Sequence, residues 1–264
     1  MKRRSSSSGG HTTLERGAVG RMTVAAPPAS RSRDVAIAFS VVVLVMGAEY
    51  SFRHFVMFWA PVIGTPLVND MLALCAVYVL LAAALGAATH LDWPRALADV
   101  RRELGEGLQR WSFTRWVLLL VLAIWVLSVV DRLLWGRVAL PMSLSASRNP
   151  HVWGAALAPI LKPVTLLVVN GFVVPVAEEF LWRGIVQVRL AHVLPAPVAI
   201  GLTAVFFSLK HALVDASLAR LLTLIAFGAI CGILARRDGW KRSAALHLVV
   251  NTVLTATTLV SGRA

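Results

Sequence analysis

Runs of apolar residues about as long as a membrane is thick recur along this chain. A helix that crosses a bilayer needs about 20 consecutive apolar residues. The runs that meet this length are about 36–60, 68–89, 114–135, 157–192, 196–213, 217–235 and 243–261. The alternation of a membrane β-barrel is missing. The sequence therefore predicts an all-α, polytopic transmembrane helical bundle with about seven spans.

Charge is scarce, and it is unevenly placed. Only 15% of the residues are charged, against about 25% in a soluble domain. The net charge of +13 is typical of some nucleic-acid-binding proteins, but here the basic residues gather in 1–33, 95–115 and 236–242, between spans. Cytoplasmic loops of membrane proteins carry this bias. We expect a multi-pass protein of the cell membrane with a cytoplasmic N-terminus and no nucleic-acid partner.

The chain divides into three parts. Residues 1–34 are basic and rich in Ser, Gly and Pro, which predicts a disordered cytoplasmic tail. Residues 35–135 hold N-terminal transmembrane helices and an amphipathic segment, 94–111, that is expected to lie along the inner interface. Residues 150–262 form a C-terminal membrane domain. Cys75 and Cys231 lie in apolar segments without metal-ligand spacing, so no disulfide is predicted.

Ionisable residues stand inside the apolar C-terminal segments. Residues 177–183 read Ala-Glu-Glu-Phe-Leu-Trp-Arg, and two later segments contain Phe207-Ser-Leu-Lys-His211 and His247-Leu-Val-Val-Asn251. A charged group at membrane depth costs roughly 2–3 kcal/mol on insertion scales, and it usually faces a cavity or a partner. These segments are therefore the candidate functional site.

Helix geometry indicates that two of these groups share a depth. Glu178 lies 16 residues before Leu194, and His211 lies 16 residues after Pro195. In an antiparallel hairpin, equal arms at about 1.5 Å per residue bring the two side chains to the same level. The same arithmetic leaves His247 roughly 10 Å from this level.

The spacing of the motifs suggests a division of roles. Glu179 and Arg183 are four apart with the acid first, which favours an ion pair that supports the site. Glu178 projects about 100° around the helix from Glu179. We therefore expect Glu178, with His211, to act as the base that activates a water. His247 and Asn251 share one helix face and can donate hydrogen bonds to the oxyanion of a tetrahedral intermediate.

Simpler interpretations exist for several of these groups. Either histidine alone could be a packed core residue, and a lone glutamate could neutralise Lys162 or Lys210. Glu49 has Arg53 at the i+4 position. Asp131 stands at the end of a span and is expected to reach the interface.

The sequence gives little support for a serine, aspartyl or zinc protease or for a transporter. The chain has no GxSxG-like serine, no aspartate pair of the aspartyl intramembrane protease type and no HExxH motif. A proton-coupled transporter that uses Glu178 would be expected to show internal repeats, and none is found.

The three motifs together resemble the CPBP family (CAAX protease and bacteriocin-processing, or Abi), which includes the type II CAAX prenyl endopeptidases. The resemblance covers about 170–255 and makes 150–262 a CAAX-protease-like domain. It implies an intramembrane endopeptidase of the glutamic type, historically described as a metalloprotease. Carried over, Glu178, His211, His247 and Asn251 are the catalytic residues. Glu179 and Arg183 match the supporting glutamate and arginine.

The resemblance leaves the cofactor and the substrate open. We expect no cofactor, because Asn251 is a poor zinc ligand; a zinc site would draw on Glu178, Glu179, His211 and His247. The partner is a membrane-bound protein or peptide. The composition looks bacterial, and CAAX prenylation is not expected in bacteria. The resemblance implies bacteriocin maturation, self-immunity or the trimming of C-terminal sorting tails, and the choice among these stays open. The alternative function is a non-catalytic immunity or scaffold protein of the same fold.

Overall fold

The computed structural model describes residues 28–56, 62–63, 65–136 and 152–261. Most of the predicted tail, residues 1–27, lies outside the described residues. Helix α1 already begins at Pro28, so residues 28–34 are helical and are not part of a disordered tail. The carboxylate of Asp34 lies 2.7 Å from Arg189 and 3.0 Å from Nδ1 of His192, and these contacts hold this part of α1 against the end of α5.

The described part of the chain is a bundle of helices. Helix α1 (Pro28–Ser51) continues as a π-helical turn (Phe52–Val56), and it is followed by α2 (Pro66–Ala88), α3 (Trp93–Leu108) and α4 (Trp111–Trp135). The C-terminal part contains α5 (Ala158–Ala191), α6 (Ala196–Val214), α7 (Leu221–Asp238) and α8 (Trp240–Val260). Two-residue strands, β1 (Val62–Ile63) and β2 (Val152–Trp153), pair in parallel. The prediction of a helical membrane bundle is confirmed.

Six of the described helices are long and apolar enough to cross a membrane: α1, α2, α4, α5, α6 and α8. The sequence predicted about seven spans, and the difference is α7. This helix ends in Arg236, Arg237 and Asp238, which lowers its apolar character. It nevertheless packs along α6, α4 and α8 inside the bundle. The described helical turns of the first predicted span reach Val56, and residues 57–60 of that span lie outside the described residues.

Helix α3 is the amphipathic segment that the sequence placed at the interface. Its first turn is capped by Asp92, whose carboxylate accepts from the backbone N–H of Arg95 at 3.1 Å. One face buries Ala96 and Val100 against the bundle. Glu103 on α3 holds Arg242 at 3.1 Å, which fixes α3 to the first turn of α8.

Asp131 is buried, whereas the sequence analysis expected it to reach the membrane interface. Its carboxylate accepts from the backbone N–H groups of Leu222 at 2.9 Å and Thr223 at 2.8 Å, and from the Thr223 hydroxyl. These N–H groups belong to the first turn of α7, where helical donors lack partners within the helix. Asp131 therefore caps α7 from α4, across 91 residues of sequence.

Helix α7 approaches α6 closely because residue 228 is glycine. A Cβ at Gly228 would lie 2.9 Å from the Cα of Ala204 on α6. Small residues allow such close approach between membrane helices. The buried backbone carbonyl of Gly228 accepts from Nη2 of Arg183 at 3.1 Å. This contact ties the helix pair to the ionisable residues on α5.

Candidate active site

Helix α5 presents its glutamates from a short α-helical turn between two π-helical segments. Leu166–Val173 and Phe180–Gln187 are π-helical, and Val174–Glu179 between them is α-helical. Pro175 has no N–H, so carbonyls one turn earlier lose their usual donor. Helix α8 supplies replacements: the Asn251 amide donates to the carbonyl of Asn170 at 3.0 Å, and the Thr252 hydroxyl lies 3.5 Å from that of Gly171. Segments of this type are frequent at functional sites.

Glu179 is the centre of a closed polar cluster. Its carboxylate lies 3.1 Å from Nη1 of Arg183, accepts from the Ser243 hydroxyl at 2.7 Å and lies 3.0 Å from Nδ1 of His247. Both members of the ion pair have fully buried side chains. The structure thus brings Glu179 and Arg183 together as the spacing suggested. It adds two partners, Ser243 and His247, that the sequence analysis did not assign to Glu179.

The partners of Glu178 are different. Its Oε1 lies 2.7 Å from the Lys210 ammonium and accepts from the Tyr78 hydroxyl at 2.7 Å. Nε2 of His211 is 3.8 Å from the same oxygen. On the other side, Nε2 of His247 is 4.0 Å from Oε2. The gap of roughly 10 Å expected for His247 is absent. Helix α8 begins at Trp240 rather than at 243, which accounts for about 4.5 Å of it at about 1.5 Å per residue.

The sequence analysis named Lys210 only as a simple neutralising partner of a glutamate, and it assigned neither Tyr78 nor Glu49 to the site. Lys210 has no exposed surface, and besides Glu178 it contacts Glu49 at 3.1 Å and the Tyr78 hydroxyl at 2.9 Å. Glu49 lies nearer to Lys210 than to Arg53, which is 3.8 Å away. Lys210 was visible as a cation at membrane depth within the His211 motif. Nothing in the sequence singled out Tyr78.

Phe207 organises the aromatic side of the site. Its ring meets the His211 imidazole edge-on at a centroid distance of 4.9 Å, and it stacks on Phe227 at 5.8 Å. The guanidinium of Arg183 lies 4.8 Å from its centroid, a cation–π geometry. Phe227 in turn meets the His247 ring at 4.6 Å. The Phe207-x-x-x-His211 spacing therefore lets one residue position groups on α5, α6 and α7.

A cavity of about 270 Å³ lies in front of these groups. Its walls include all four residues predicted to be catalytic, Glu178, His211, His247 and Asn251. Glu179 and Arg183 lie behind the wall. Polar residues of the remaining walls are Ser128, Asn170, Arg220, Thr223, Thr255 and Thr258. The arrangement offers a carboxylate, two imidazoles and an amide to a molecule inside an apolar bundle.

The donor set around Glu178 does not suit a zinc ion. Among the described residues, no group of three or more His, Cys, Asp and Glu side chains is placed to hold a metal. Both carboxylates already have other partners. Oε1 of Glu178 contacts the Lys210 ammonium, and the carboxylate of Glu179 contacts Arg183, Ser243 and His247. A dication would have to displace these partners, and the ammonium of Lys210 and the guanidinium of Arg183 would repel it.

Residues 160–253 match the family model described as type II CAAX prenyl endopeptidase Rce1-like. Over these residues the chain is similar to the CAAX protease (CPBP) family, in keeping with the resemblance of its three motifs. The match includes the three motif helices and ends two residues after Asn251. It supports a membrane-embedded protease. Comparisons with curated proteins and with solved structures gave no match.

Proposed function

We propose that this chain is an intramembrane endopeptidase that hydrolyses a peptide bond of a membrane-bound protein or peptide with water activated by Glu178. The observation that supports this most directly is the meeting of Glu178, His211 and His247, from three helices, at the wall of one cavity. Ionisable groups at membrane depth are costly and generally serve a function.

Glu178 is suited to the role of general base. Lys210 and Tyr78 both contact Oε1 and hold the carboxylate in one orientation. Oε2 is left on the side of His247, 4.0 Å from its Nε2. A distance of this kind is bridged by one water. Glu178 takes a proton from this water as its oxygen attacks the substrate carbonyl, and the proton passes to the leaving amine.

His247 acts through both ring nitrogens. Nδ1 faces the Glu179 carboxylate at 3.0 Å, so in the neutral ring Nδ1 carries the proton and Nε2 is an acceptor. In the imidazolium form, which takes up its second proton from water in the cavity before the reaction and is balanced by Glu179, Nε2 is a donor that stabilises the oxyanion and keeps its proton throughout. Asn251 has two N–H bonds and uses one on Asn170, so the other remains for the same oxyanion.

The reaction is proposed to need no metal. The supporting argument is the cation that already contacts Glu178, since the Lys210 ammonium lies at hydrogen-bond distance from the carboxylate that would have to bind zinc. Lys210, together with the imidazolium form of His247, supplies the positive charge that a metal would otherwise bring to the site.

A comparison of protein termini tests the proposal. Membrane-protein termini are quantified in cells that produce the wild-type chain, Glu178→Gln or the control Glu103→Gln, which alters a partly exposed carboxylate on α3. We expect one set of termini to disappear with Glu178→Gln and to persist with Glu103→Gln. Identical termini in all three, at equal protein levels, would refute the protease and favour a non-catalytic immunity or scaffold protein.

A further inference from the structure

The cavity lies in one half of the bundle. Its lining residues on α4 and α6, such as Ser128 and His211, lie nearer to the C-terminal ends of these helices. Those on α7, from Thr223 to Phe227, lie in the N-terminal half. On α8 the lining reaches Thr258, close to the last residue of the helix. Because neighbouring helices alternate in direction, all of these positions belong to the same end of the bundle.

The opposite end of the bundle is strongly basic. Five parts of the chain meet there: the N-terminus of α1, helix α3, the N-terminus of α4, the turn between α5 and α6, and the turn between α7 and α8. The Asp34–Arg189 and Glu103–Arg242 ion pairs connect elements at this end. The described basic residues at this end are Arg31, Arg33, Arg95, Arg101, Arg102, Arg110, Arg115, Arg189, Arg236, Arg237, Lys241 and Arg242. Those at the cavity end are Arg53, Arg132, Lys162 and Arg220. Such asymmetry places the basic end in the cytoplasm.

The side of the site that faces the basic end is closed by packed side chains. Trp182, Leu234 and Leu246 have no exposed surface. The Phe180 ring lies between Trp93 and Trp240, with centroid distances of 5.1 Å and 5.6 Å. A separate apolar cavity of about 280 Å³ at this end, lined by Tyr78, Trp93 and Leu97, does not include Glu178 or either histidine. The packed side chains therefore separate the basic end from the site.

A polar stripe leads from the site to the other end. On α8, Asn251, Thr255 and Thr258 follow His247 at helical spacing, and all of them line the cavity. Asn251 and Thr258 are partly or fully exposed. At the far end Arg220 stands beside Asp215, which also contacts Arg53 at 3.3 Å. Polar groups inside a membrane bundle generally line a water-filled path.

From these observations we infer that the site is entered from the non-cytoplasmic side of the membrane. This inference rests on the proposed function for its substrate. The substrates are then translocated or membrane-anchored polypeptides whose cleaved bond lies at or beyond the outer half of the bilayer. Proteins with a prenylated C-terminus in the cytoplasm are excluded, because their cleavage site would meet the closed, basic end.

Cysteine labelling tests the direction of access without requiring catalysis. In a chain with Cys75→Ala and Cys231→Ala, single cysteines are placed at Ser128 in the cavity wall, at the adjacent Val129 on the exposed outer face of α4, and at Arg236 at the basic end. Intact and permeabilised cells are treated with a sulfonated, membrane-impermeant maleimide, with detergent-solubilised protein as the reference.

We expect Ser128→Cys to react in intact cells and Val129→Cys to react at least tenfold more slowly, since lipid shields it. Arg236→Cys should react only after permeabilisation. Labelling of Ser128→Cys that requires permeabilisation, labelling of Arg236→Cys in intact cells, or equal rates at Ser128 and Val129 would overturn the inference.

The terminal-peptide comparison supplies the second measurement. The termini lost in Glu178→Gln cells should map to non-cytoplasmic segments of their proteins, and cytoplasmic positions would contradict the inferred side. If no terminus changes while the labelling pattern is as expected, the protease proposal fails and the direction of access stands.

Discussion

Removal of the Lys210 ammonium should destabilise the bundle far more than removal of a lysine at its surface. Lys210 lies 2.7 Å from Glu178 and 3.1 Å from Glu49, and all three side chains are at most 2% exposed. At an effective dielectric constant of about 20, unit charges roughly 3 Å apart attract by about 5 kcal/mol. Desolvation of the lysine, at several kcal/mol, opposes this attraction. Lys210→Met also leaves two buried carboxylates close together, so the expected net loss is about 3–5 kcal/mol.

The assay is denaturant unfolding in mixed micelles, with thermal unfolding as a second measurement. The matched control is Lys241→Met, because Lys241 also pairs with a carboxylate, that of Asp99, but its side chain is 33% exposed. Exposed pairs contribute little, so the control should stay near the wild type. The double variant Lys210→Met/Glu49→Gln removes one charge of each sign and should recover at least half of the loss. A Lys210→Met variant as stable as Lys241→Met would refute this reasoning.

The control pair has a pH dependence of its own. The hydrogen bond from Lys241 lowers the pKa of Asp99 below its ordinary value. A carboxyl group with a lowered pKa contributes stability above that ordinary value, and the contribution is lost as the pH falls through the lowered pKa. The unfolding measurements should therefore be made near neutral pH, where the pair is intact in the wild type.

Three further predictions concern the site and the orientation. Glu179→Gln and Arg183→Ala should each reduce the amount of folded protein as well as cleavage, since each leaves a buried charge uncompensated at roughly 3–5 kcal/mol; normal accumulation and thermal stability of both would contradict the pairing role. Asn251→Ala should slow cleavage by roughly 10²–10³-fold, and strong chelators should leave the wild-type rate unchanged; inactivation that added zinc reverses would instead indicate a metal. A reporter fused at 238 should be cytoplasmic and one at 65 external, because the basic residues gather at the end of the bundle that contains 238. The reverse pattern would show that the bundle has the opposite orientation in the membrane.

The amino-acid sequence by itself determined the class of fold and the motif residues. Apolar runs of membrane length require helices, because no other open structure satisfies its backbone hydrogen bonds in lipid. Helical spacing alone related Glu179 to Arg183 and His247 to Asn251, since residues four apart share a face. The equal arms about Leu194 and Pro195 brought Glu178 and His211 to one depth. These are local properties, and a sequence displays them directly.

Only the tertiary structure decided which groups meet across the bundle. Tyr78 and Glu49 reach Lys210 from helices more than 130 residues away, and no periodicity encodes such a contact. The packing also places Nδ1 of His247 against Glu179 while Nε2 faces Glu178. It directs Asp131 into the bundle, where it caps α7. The physical reason is common to all of these cases: a buried polar group must find a partner, and which partner is near depends on how the helices pack.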